Sequence, residues 1–189
     1  MALTVLLGGA RSGKSTLAVR CGAAYRGPVC FIATATAGDR EMAARIARHR
    51  AERPVTWQTV EEPLQLEAAL ARAQEDALVI VDCLTLWVSN QLAAGGSDDR
   101  IAEHAAQAAQ RAAGRAAPVI AVSNEVGMGI VPADPLVRRF RDVHGRVNAA
   151  WVAAATQASL VVAGALLRLT APDPGRLCDP YLPPAGGTR

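Results

Sequence analysis

The strongest constraint on this chain is a glycine-rich segment close to its start. The segment consists of Gly8, Gly9, Ala10, Arg11, Ser12, Gly13, Lys14 and Ser15. It fits the pattern G-x-x-x-x-G-K-[ST], follows an apolar run at residues 4–7 and precedes a helical pattern at residues 14–25. In that setting backbone N–H groups turn toward phosphate oxygens, and the serine hydroxyl ligates Mg²⁺. The segment therefore predicts a nucleotide-binding P-loop between a strand and a helix.

The use of cationic residues supports this interpretation. The chain contains 19 arginines and a single lysine, Lys14. A lysine ammonium is a compact point charge, whereas an arginine guanidinium is planar and wider. The one lysine occupies the motif position at which an ammonium reaches the β- and γ-phosphates. We therefore predict that Lys14 is catalytic.

Apolar runs and helical patterns alternate along the chain. Strands are predicted at residues 4–7, 29–33, 78–82, 119–123 and 160–163, with shorter candidates at 56–60 and 166–169. Helices are predicted at residues 14–25, 39–52, 63–74, 84–92, 101–117 and 132–157. Because the strands are continuously apolar and most precede a helix, they indicate an α/β fold with a mostly parallel central sheet and helices on both faces. We predict one catalytic domain, residues 1–170, and a poorly ordered tail, residues 171–189, with five prolines and three glycines.

Charge and composition argue against several other classes of protein. A net charge of +3 and an aromatic content of 4% do not favour nucleic-acid binding. No apolar run reaches the length of a membrane span, and the first residues lack the basic start of a signal peptide. Four cysteines without C-x-x-C spacing predict small buried side chains in a reducing compartment; they are Cys21, Cys30, Cys83 and Cys178. These features predict a cytoplasmic protein.

Asp82 ends the apolar run of residues 78–81. A carboxylate at the carboxyl end of a parallel strand near a P-loop is placed to organise Mg²⁺. An aspartate in this position can also cap the helix that follows. The sequence leaves both roles open.

One predicted helix carries a histidine among cations. Met42, Ile46 and His49 are spaced to share one helix face. The arginines around them are Arg40, Arg45, Arg48, Arg50 and Arg53. His49 is therefore either a residue at the edge of the core or an imidazole that attacks phosphorus, since neighbouring cations lower a histidine pKa and keep its lone pair available.

Two other histidines and one loop are further candidates. His104 is predicted to lie on the surface, and His144, which has several arginines near it in the sequence, is a candidate for binding phosphate or a partner. Residues 124–132, with the sequence Asn-Glu-Val-Gly-Met-Gly-Ile-Val-Pro, directly follow a predicted strand. We expect a loop at the carboxyl edge of the sheet, where ligands bind in α/β proteins.

Taken together, these motifs resemble one family. From Leu6 to about Gly164 the chain resembles the bifunctional adenosylcobinamide kinase / adenosylcobinamide-phosphate guanylyltransferases of cobalamin biosynthesis. Besides the P-loop, the matching segments are residues 32–35, 41–42, 45–46 with His49, 53–54, Trp57, 61–64, 82–85, 124–132, 140–142 and 145–148. Many NTPases share the P-loop, whereas residues 124–132 combined with the spacing of residues 45, 46 and 49 are far more specific.

The resemblance implies two activities at one nucleotide site. The first uses ATP or GTP, with Mg²⁺, to phosphorylate the aminopropanol hydroxyl of adenosylcobinamide. The second transfers GMP from GTP to adenosylcobinamide phosphate through a guanylylated histidine, which corresponds to His49. Beyond the P-loop, the implied nucleotide contacts are Ala33, Thr34, Ala35, Arg50, Ala51, Glu52, Arg53, Glu61 and Asp82. The resemblance also implies a RecA-like fold and a homotrimer.

Two other functions fit the residues without the resemblance. A P-loop kinase for another small molecule would need Lys14 and Asp82 but not His49. A nucleotide-binding regulatory ATPase or GTPase would bind and slowly hydrolyse nucleotide without acting on cobinamide. The α-phosphate of GTP separates the three functions, because only the guanylyltransferase attaches it to the protein.

Overall fold

The computed structural model describes residues 3–170, except for the side chain of Arg45. Its strands are β1 (Leu3–Leu7), β2 (Val29–Ala33), β3 (Gln58–Glu61), β4 (Leu78–Asp82), β5 (Val119–Val122), β6 (Gln157–Val162) and β7 (Ala165–Leu169). Its helices are α1 (Lys14–Ala24), α2 (Arg40–Ala51), α3 (Leu66–Arg72), α4 (Leu84–Ala93), α5 (Asp98–Ala113) and α6 (Pro135–Ala154). The predicted tail at residues 171–189 lies outside the described residues. Between residues 3 and 170, none of the helices has the length and apolar character needed to span a membrane.

The strands form one sheet in the order β3-β2-β4-β5-β1-β6-β7. Neighbouring strands from β3 through β6 pair in parallel, and β7 pairs antiparallel with β6. The predicted α/β fold with a mostly parallel sheet is therefore confirmed. Because parallel strands share a direction, the residues that follow β1, β2, β4 and β5 meet at one edge of the sheet.

Helices cover both faces of the sheet and enclose two apolar cores. Alternate residues of the strands, such as Val5 and Val79, pack with buried residues of α3, α4, α5 and α6 on one face. The other residues, such as Leu6 and Ile80, pack with α1 on the opposite face. No described side chain of α2 belongs to either core. Helix α2 thus lies outside the two apolar cores.

Several predicted boundaries are wrong by a few residues, and local hydrogen bonds explain two of them. Helix α3 begins at Leu66 rather than at residue 63, because the Glu62 carboxylate accepts the N–H groups of Leu64 and Gln65 in a preceding turn. Helix α6 begins only at Pro135, where the Asp134 side chain caps it. The same helix ends at Ala154, and the residues from 157 onward form β6 instead.

The alanine-rich helix α5 lies inside the protein. It begins at Asp98, earlier than predicted, with the Ser97 hydroxyl accepting the N–H of Arg100. Its small residues, including Ala105 and Ala109, are fully buried in the core. The alanine-rich face of α5 therefore packs inside the chain and is not available to bind a second copy of the protein.

The prediction that the cysteines are buried holds for one of them. Cys30 is buried, Cys83 is half-buried and Cys21 is exposed on α1. All three are free thiols, and Cys178 lies outside the described residues.

Candidate active site

The predicted P-loop joins β1 to α1 and closes around the single lysine. The Lys14 side chain is 5% exposed. Its Nζ donates hydrogen bonds to the carbonyl oxygens of Gly8 at 2.8 Å and Gly9 at 2.7 Å, and lies 3.3 Å from the Ser12 hydroxyl oxygen. An ammonium can point three N–H groups at acceptors arranged in this way, whereas the fork of a guanidinium is fixed in one plane.

The backbone of the loop requires glycine at two positions. Gly8 has a φ of 149° and Gly13 a φ of 100°, both in the region that side chains rarely adopt. Gly13 is also the residue from which α1 starts. Ala10 and Arg11 are exposed on the turn, and Arg11 has a φ of 57°. The glycines of the motif are therefore conformational requirements of this turn.

Gly8→Ala is expected to destabilise the protein by about 2 to 4 kcal/mol, because a Cβ there combines an unfavourable φ with overlap of the Val161 carbonyl oxygen. Gly9→Ala is the matched control, since no atom lies within 4 Å of a Cβ built at that position. Urea unfolding of both variants measures the difference. Equal free energies of unfolding for the two variants would contradict the prediction.

Two neighbouring segments hold the P-loop from its sides. The N–H of Glu125 donates to the carbonyl oxygen of Gly8 at 3.0 Å. The N–H of Gly164, in the turn between β6 and β7, donates to the carbonyl oxygen of Ser12 at 2.9 Å. The loop of residues 124–132 thus lies beside the P-loop, at the carboxyl edge of the sheet where the sequence places it.

Asp82 ends β4 beside the start of α1. Burial raises the pKa of its carboxyl group, while a hydrogen bond from Ser15 and the charges of His49, Arg53 and Lys14 lower it. Helix α4 begins after Cys83 and has no side-chain cap. The alternative role of Asp82 as the cap of that helix is therefore not supported.

The pair formed by Ser15 and Asp82 fits a magnesium ion. A hydroxyl and a carboxylate in contact are hard oxygen donors, which Mg²⁺ prefers. Within residues 3–170 there is no group of three or more His, Cys, Asp or Glu side chains that could hold a metal. A site with one carboxylate suits Mg²⁺, which is usually bound by one or two carboxylates together with waters and substrate phosphates.

Thr34 joins the ends of β2 and β4. Its hydroxyl donates to the carbonyl oxygen of Cys83 at 2.6 Å and accepts the N–H of Cys83 at 2.8 Å. The Asn90 amide on α4 donates to the carbonyl oxygen of Thr34 at 2.7 Å. The predicted contacts in residues 33–35 are therefore held next to Asp82, while the role of Asn90 was not predicted from the sequence.

Helix α2 brings cations and His49 to the same edge. The Asp39 side chain caps the helix by accepting the N–H of Met42 at 2.7 Å. His49 is half-buried, and a positive charge on its ring lowers the pKa of the Asp82 carboxyl group, so both side chains belong to this edge of the sheet. The predicted contacts Ala51 and Glu52, at the end of α2, are exposed.

Two arginines link the end of α2 to the sheet. The Arg53 guanidinium lies over the Phe31 ring, with its central carbon 3.6 Å from the ring centroid. Burial lowers the pKa of Arg53, and the charge of Asp82 raises it. Arg50 pairs with Glu61 at 3.5 Å, but both side chains are largely exposed, so this pair contributes little to stability.

His144 is not available for the predicted role in binding phosphate or a partner. It is 1% exposed and stacks on Phe140. Its Nε2 lies 3.1 Å from Ser123 Oγ and 3.2 Å from Thr85 Oγ1. The nearby arginines bond elsewhere, with Arg139 pairing to Asp98, Arg146 to Asp99 and Arg141 to Asp142.

The polar groups around His144 hold the backbone of Asn124, the residue before Glu125, in place. The Ser123 hydroxyl donates to Asn148 Oδ1 at 2.6 Å, so its oxygen is left to accept an Nε2–H from His144. Asn148 donates to the carbonyl oxygen of Asn124 at 3.0 Å, and Thr85 Oγ1 accepts the N–H of Asn124 at 2.8 Å. We call His144, Ser123, Thr85 and Asn148 the buried polar cluster. None of their roles was predicted, although Thr85 and Asn148 lie in segments that carry the family resemblance.

The buried polar cluster predicts a pH dependence of stability. Burial lowers the pKa of His144 to about 4, with a smaller raising effect from Glu125. In the unfolded chain the His144 imidazole takes up a proton near pH 6.5, whereas in the folded protein it does so only near pH 4. The neutral, buried imidazole therefore makes its full contribution to stability above about pH 6.5, and up to about 3 kcal/mol of the free energy of unfolding is lost as the pH falls to about 4. Urea unfolding between pH 7 and pH 4 should show this fall in the wild type and a smaller one in His144→Gln. The control His104→Gln, on α5, should lose as much stability as the wild type. An equal loss in the wild type and His144→Gln would contradict the assignment of this pH dependence to His144.

Comparisons of the sequence with known proteins agree on one family. Residues 4–169 match the family CobU, described as cobinamide kinase / cobinamide phosphate guanyltransferase. The bifunctional adenosylcobalamin biosynthesis protein CobP of Pseudomonas aeruginosa is 44% identical over 163 residues, which cover 85% of this chain and 92% of that protein. The bifunctional adenosylcobalamin biosynthesis proteins CobU of Escherichia coli and Salmonella typhimurium are 40% and 41% identical, and each alignment covers 86% of this chain and 96% of the relative.

The fold is also similar to solved ATPase structures. The ATPase EscN of the enteropathogenic E. coli type III secretion system matches 86% of this chain and 43% of its own with a TM-score of 0.56 and 16% identity. A prototypical ATPase of a type III secretion system matches 84% of this chain and 50% of its own with a TM-score of 0.54 and 14% identity. At these identities the likeness concerns the fold alone, and it agrees with the α/β fold of the sheet. By its sequence, the chain belongs to the cobinamide kinase / cobinamide phosphate guanyltransferase family of bifunctional enzymes.

Proposed function

We propose that this protein phosphorylates adenosylcobinamide with ATP or GTP and then transfers GMP from GTP to the resulting phosphate, giving adenosyl-GDP-cobinamide. Family membership supports the pair of activities. The observation that carries the proposal is that Lys14, Asp82 and His49 follow strands β1, β4 and β2, which end at one edge of the parallel sheet. Phosphate-binding cations and a candidate nucleophile therefore share one edge of the sheet.

In the kinase step the acceptor hydroxyl attacks the γ-phosphorus. A new O–P bond forms as the hydroxyl loses its proton to solvent, the bond from the γ-phosphorus to the bridging oxygen breaks, and the nucleoside diphosphate leaves with the electron pair. Lys14 would stabilise the negative charge that develops on the phosphate oxygens. Mg²⁺, held by Ser15 and Asp82, would neutralise further charge on the phosphates.

In the transferase step we propose His49 as the nucleophile. An imidazole nitrogen forms a P–N bond with the α-phosphorus of GTP, and pyrophosphate leaves. The phosphate of adenosylcobinamide phosphate then attacks the same phosphorus, so that the P–N bond breaks and His49 is regenerated. Splitting the transfer into two displacements is the usual advantage of covalent catalysis, and Arg50 and Arg53 would hold the triphosphate.

Labelled GTP tests the proposal directly. With adenosylcobinamide as acceptor, the γ-label should enter a corrinoid monophosphate, and the α-label should appear first on the protein and then in the guanylylated corrinoid. Transfer of the γ-label without any α-label would indicate a kinase alone. Hydrolysis of GTP with neither label in the corrinoid would indicate a regulatory nucleotide-binding protein and overturn the proposal.

Four further properties are proposals from the sequence: the nucleotide contacts, the extent of the catalytic domain, the oligomeric state and the location. We propose that the nucleotide contacts extend over the P-loop, residues 33–35, residues 50–53, Glu61 and Asp82, within a catalytic domain of residues 1–170. We also propose a homotrimer in the cytoplasm. Light scattering that finds only a 19.7 kDa species at micromolar concentration would contradict the trimer.

A further inference from the structure

Large apolar side chains are exposed along one short segment beside the P-loop. They are Val126, Met128, Ile130, Val131, Leu136 and Val137. Ile130 is 96% exposed and Met128 77%. No charged residue occurs in residues 126–133. We call these six side chains the apolar loop surface; a group of this kind is unusual on a protein surface unless it binds something.

Hydrogen bonds hold both ends of this segment. At its start, the Glu125 carboxylate accepts the N–H of Gly127 at 2.6 Å, and the buried polar cluster fixes Asn124. At its end, Arg138 Nη1 donates to the carbonyl oxygens of Pro132 at 2.8 Å and Ala133 at 2.6 Å. The ends of the segment are therefore fixed by polar contacts, while the apolar side chains between them extend into solvent.

The segment leaves the sheet between the P-loop and Asp82, the two parts of the proposed phosphate site. It follows β5, which lies between β4, where Asp82 ends, and β1, which leads into the P-loop. The Gly8 carbonyl oxygen that accepts the N–H of Glu125 also accepts a hydrogen bond from Lys14. The segment that carries the apolar loop surface is thus joined at its start to the same backbone turn that holds Lys14.

The other flank of the phosphate site has the opposite character. Helix α2 has a basic last turn formed by Arg48, His49 and Arg50, and it is followed by Arg53. Cations suit the triphosphate of a nucleotide. The two flanks therefore differ in the chemistry they can bind, with anionic phosphates on one side and an uncharged, apolar group on the other.

We propose that the apolar loop surface binds the corrin ring of the acceptor. This inference rests on the proposed function, in which the hydroxyl of adenosylcobinamide must reach the γ-phosphorus. The rest of that molecule is a wide macrocycle with methyl groups and uncharged amide side chains, so it needs an apolar surface next to the P-loop. The surface described here has both the required position and the required chemistry.

The test compares two double variants that each replace two exposed apolar side chains by serine. Met128→Ser/Ile130→Ser alters the apolar loop surface, and Leu166→Ser/Leu167→Ser alters β7, where the side chains are 54% and 60% exposed. The first variant should raise both the KM for adenosylcobinamide and its Kd in equilibrium dialysis at least about tenfold, because contacts of two large apolar side chains are lost. The KM for GTP should stay within about twofold in both variants, which also shows that they fold.

Three results would overturn the inference. The first is an unchanged KM and Kd for adenosylcobinamide in Met128→Ser/Ile130→Ser. The second is an equal loss of acceptor binding in both double variants. The third is a smaller particle mass by light scattering in the loop variant alone, because the surface would then be an interface between copies of the chain. Failure of the wild type to phosphorylate adenosylcobinamide would instead refute the proposed function, and dialysis would still report whether the ring binds.

Discussion

Lys14→Arg should lower the turnover of the kinase and transferase reactions by about 100-fold or more, although arginine provides every other basic side chain except histidine in this chain. The Lys14 ammonium contacts Gly8, Gly9 and Ser12 inside a tight turn, where 5% of the residue is exposed. A guanidinium is larger and planar, so it would have to displace either the loop or the phosphates. Steady-state rates with γ-labelled and α-labelled GTP measure the two losses.

An arginine-to-lysine substitution elsewhere on α1 provides the matched control. Arg20 lies on the same helix, α1, and is exposed. Arg20→Lys should retain activity within about twofold, since surface substitutions of this kind rarely matter. Near-normal turnover by Lys14→Arg would remove the argument that this position needs a compact ammonium. Lys14→Ala should lose both activities as well, because it removes the ammonium from the P-loop.

The elements around the nucleotide site are those that could be predicted best from the sequence. Strands β2 and β4 have the predicted boundaries, and α1 begins at the predicted Lys14. These strands are short apolar runs that end at or just before a polar residue, so local composition determines where they end. The P-loop needs glycines at fixed positions, and such a backbone requirement is directly visible in a sequence.

Contacts between distant segments could not be predicted in this way. The link from Thr34 to Cys83 and the contact of Arg53 with Phe31 depend on the order of strands in the sheet, which periodicity does not determine. The expectation that His144 binds phosphate or a partner is wrong for the same reason. The arginines near it in sequence suggested a phosphate site, but on a helix most of them point to other partners while His144 faces the core.

His49→Asn should separate the two activities. The kinase reaction needs attack on the γ-phosphorus by the acceptor hydroxyl, and the histidine does not take part in that displacement. In the proposed route, guanylyl transfer begins with attack on the α-phosphorus by the imidazole of His49, which the acceptor phosphate later replaces. We therefore expect the variant to lose transfer by about 1,000-fold or more while kinase turnover stays within about tenfold of the wild type.

The proposed covalent intermediate gives a second measurement that tests the same prediction. Wild-type protein incubated with α-labelled GTP should carry a phosphoramidate, which is labile to acid and stable to base. His49→Asn should carry no label, and His104→Asn, the matched control on α5, should be labelled like the wild type. Asparagine keeps a polar side chain at the end of α2 but cannot form the P–N bond, so a loss confined to transfer is not a loss of folding.

The position of His49 allows the variant to distinguish a nucleophile from a residue at the edge of the core. The residue is half-buried on a helix whose described side chains belong to neither core, so its removal should cost little stability. A histidine at the edge of the core would instead lower the free energy of unfolding and reduce both activities together. If His49→Asn still takes the α-label, or if the wild-type adduct resists acid, another group is the nucleophile. The proximity of His49 to Asp82 would then reflect binding of the triphosphate rather than covalent transfer.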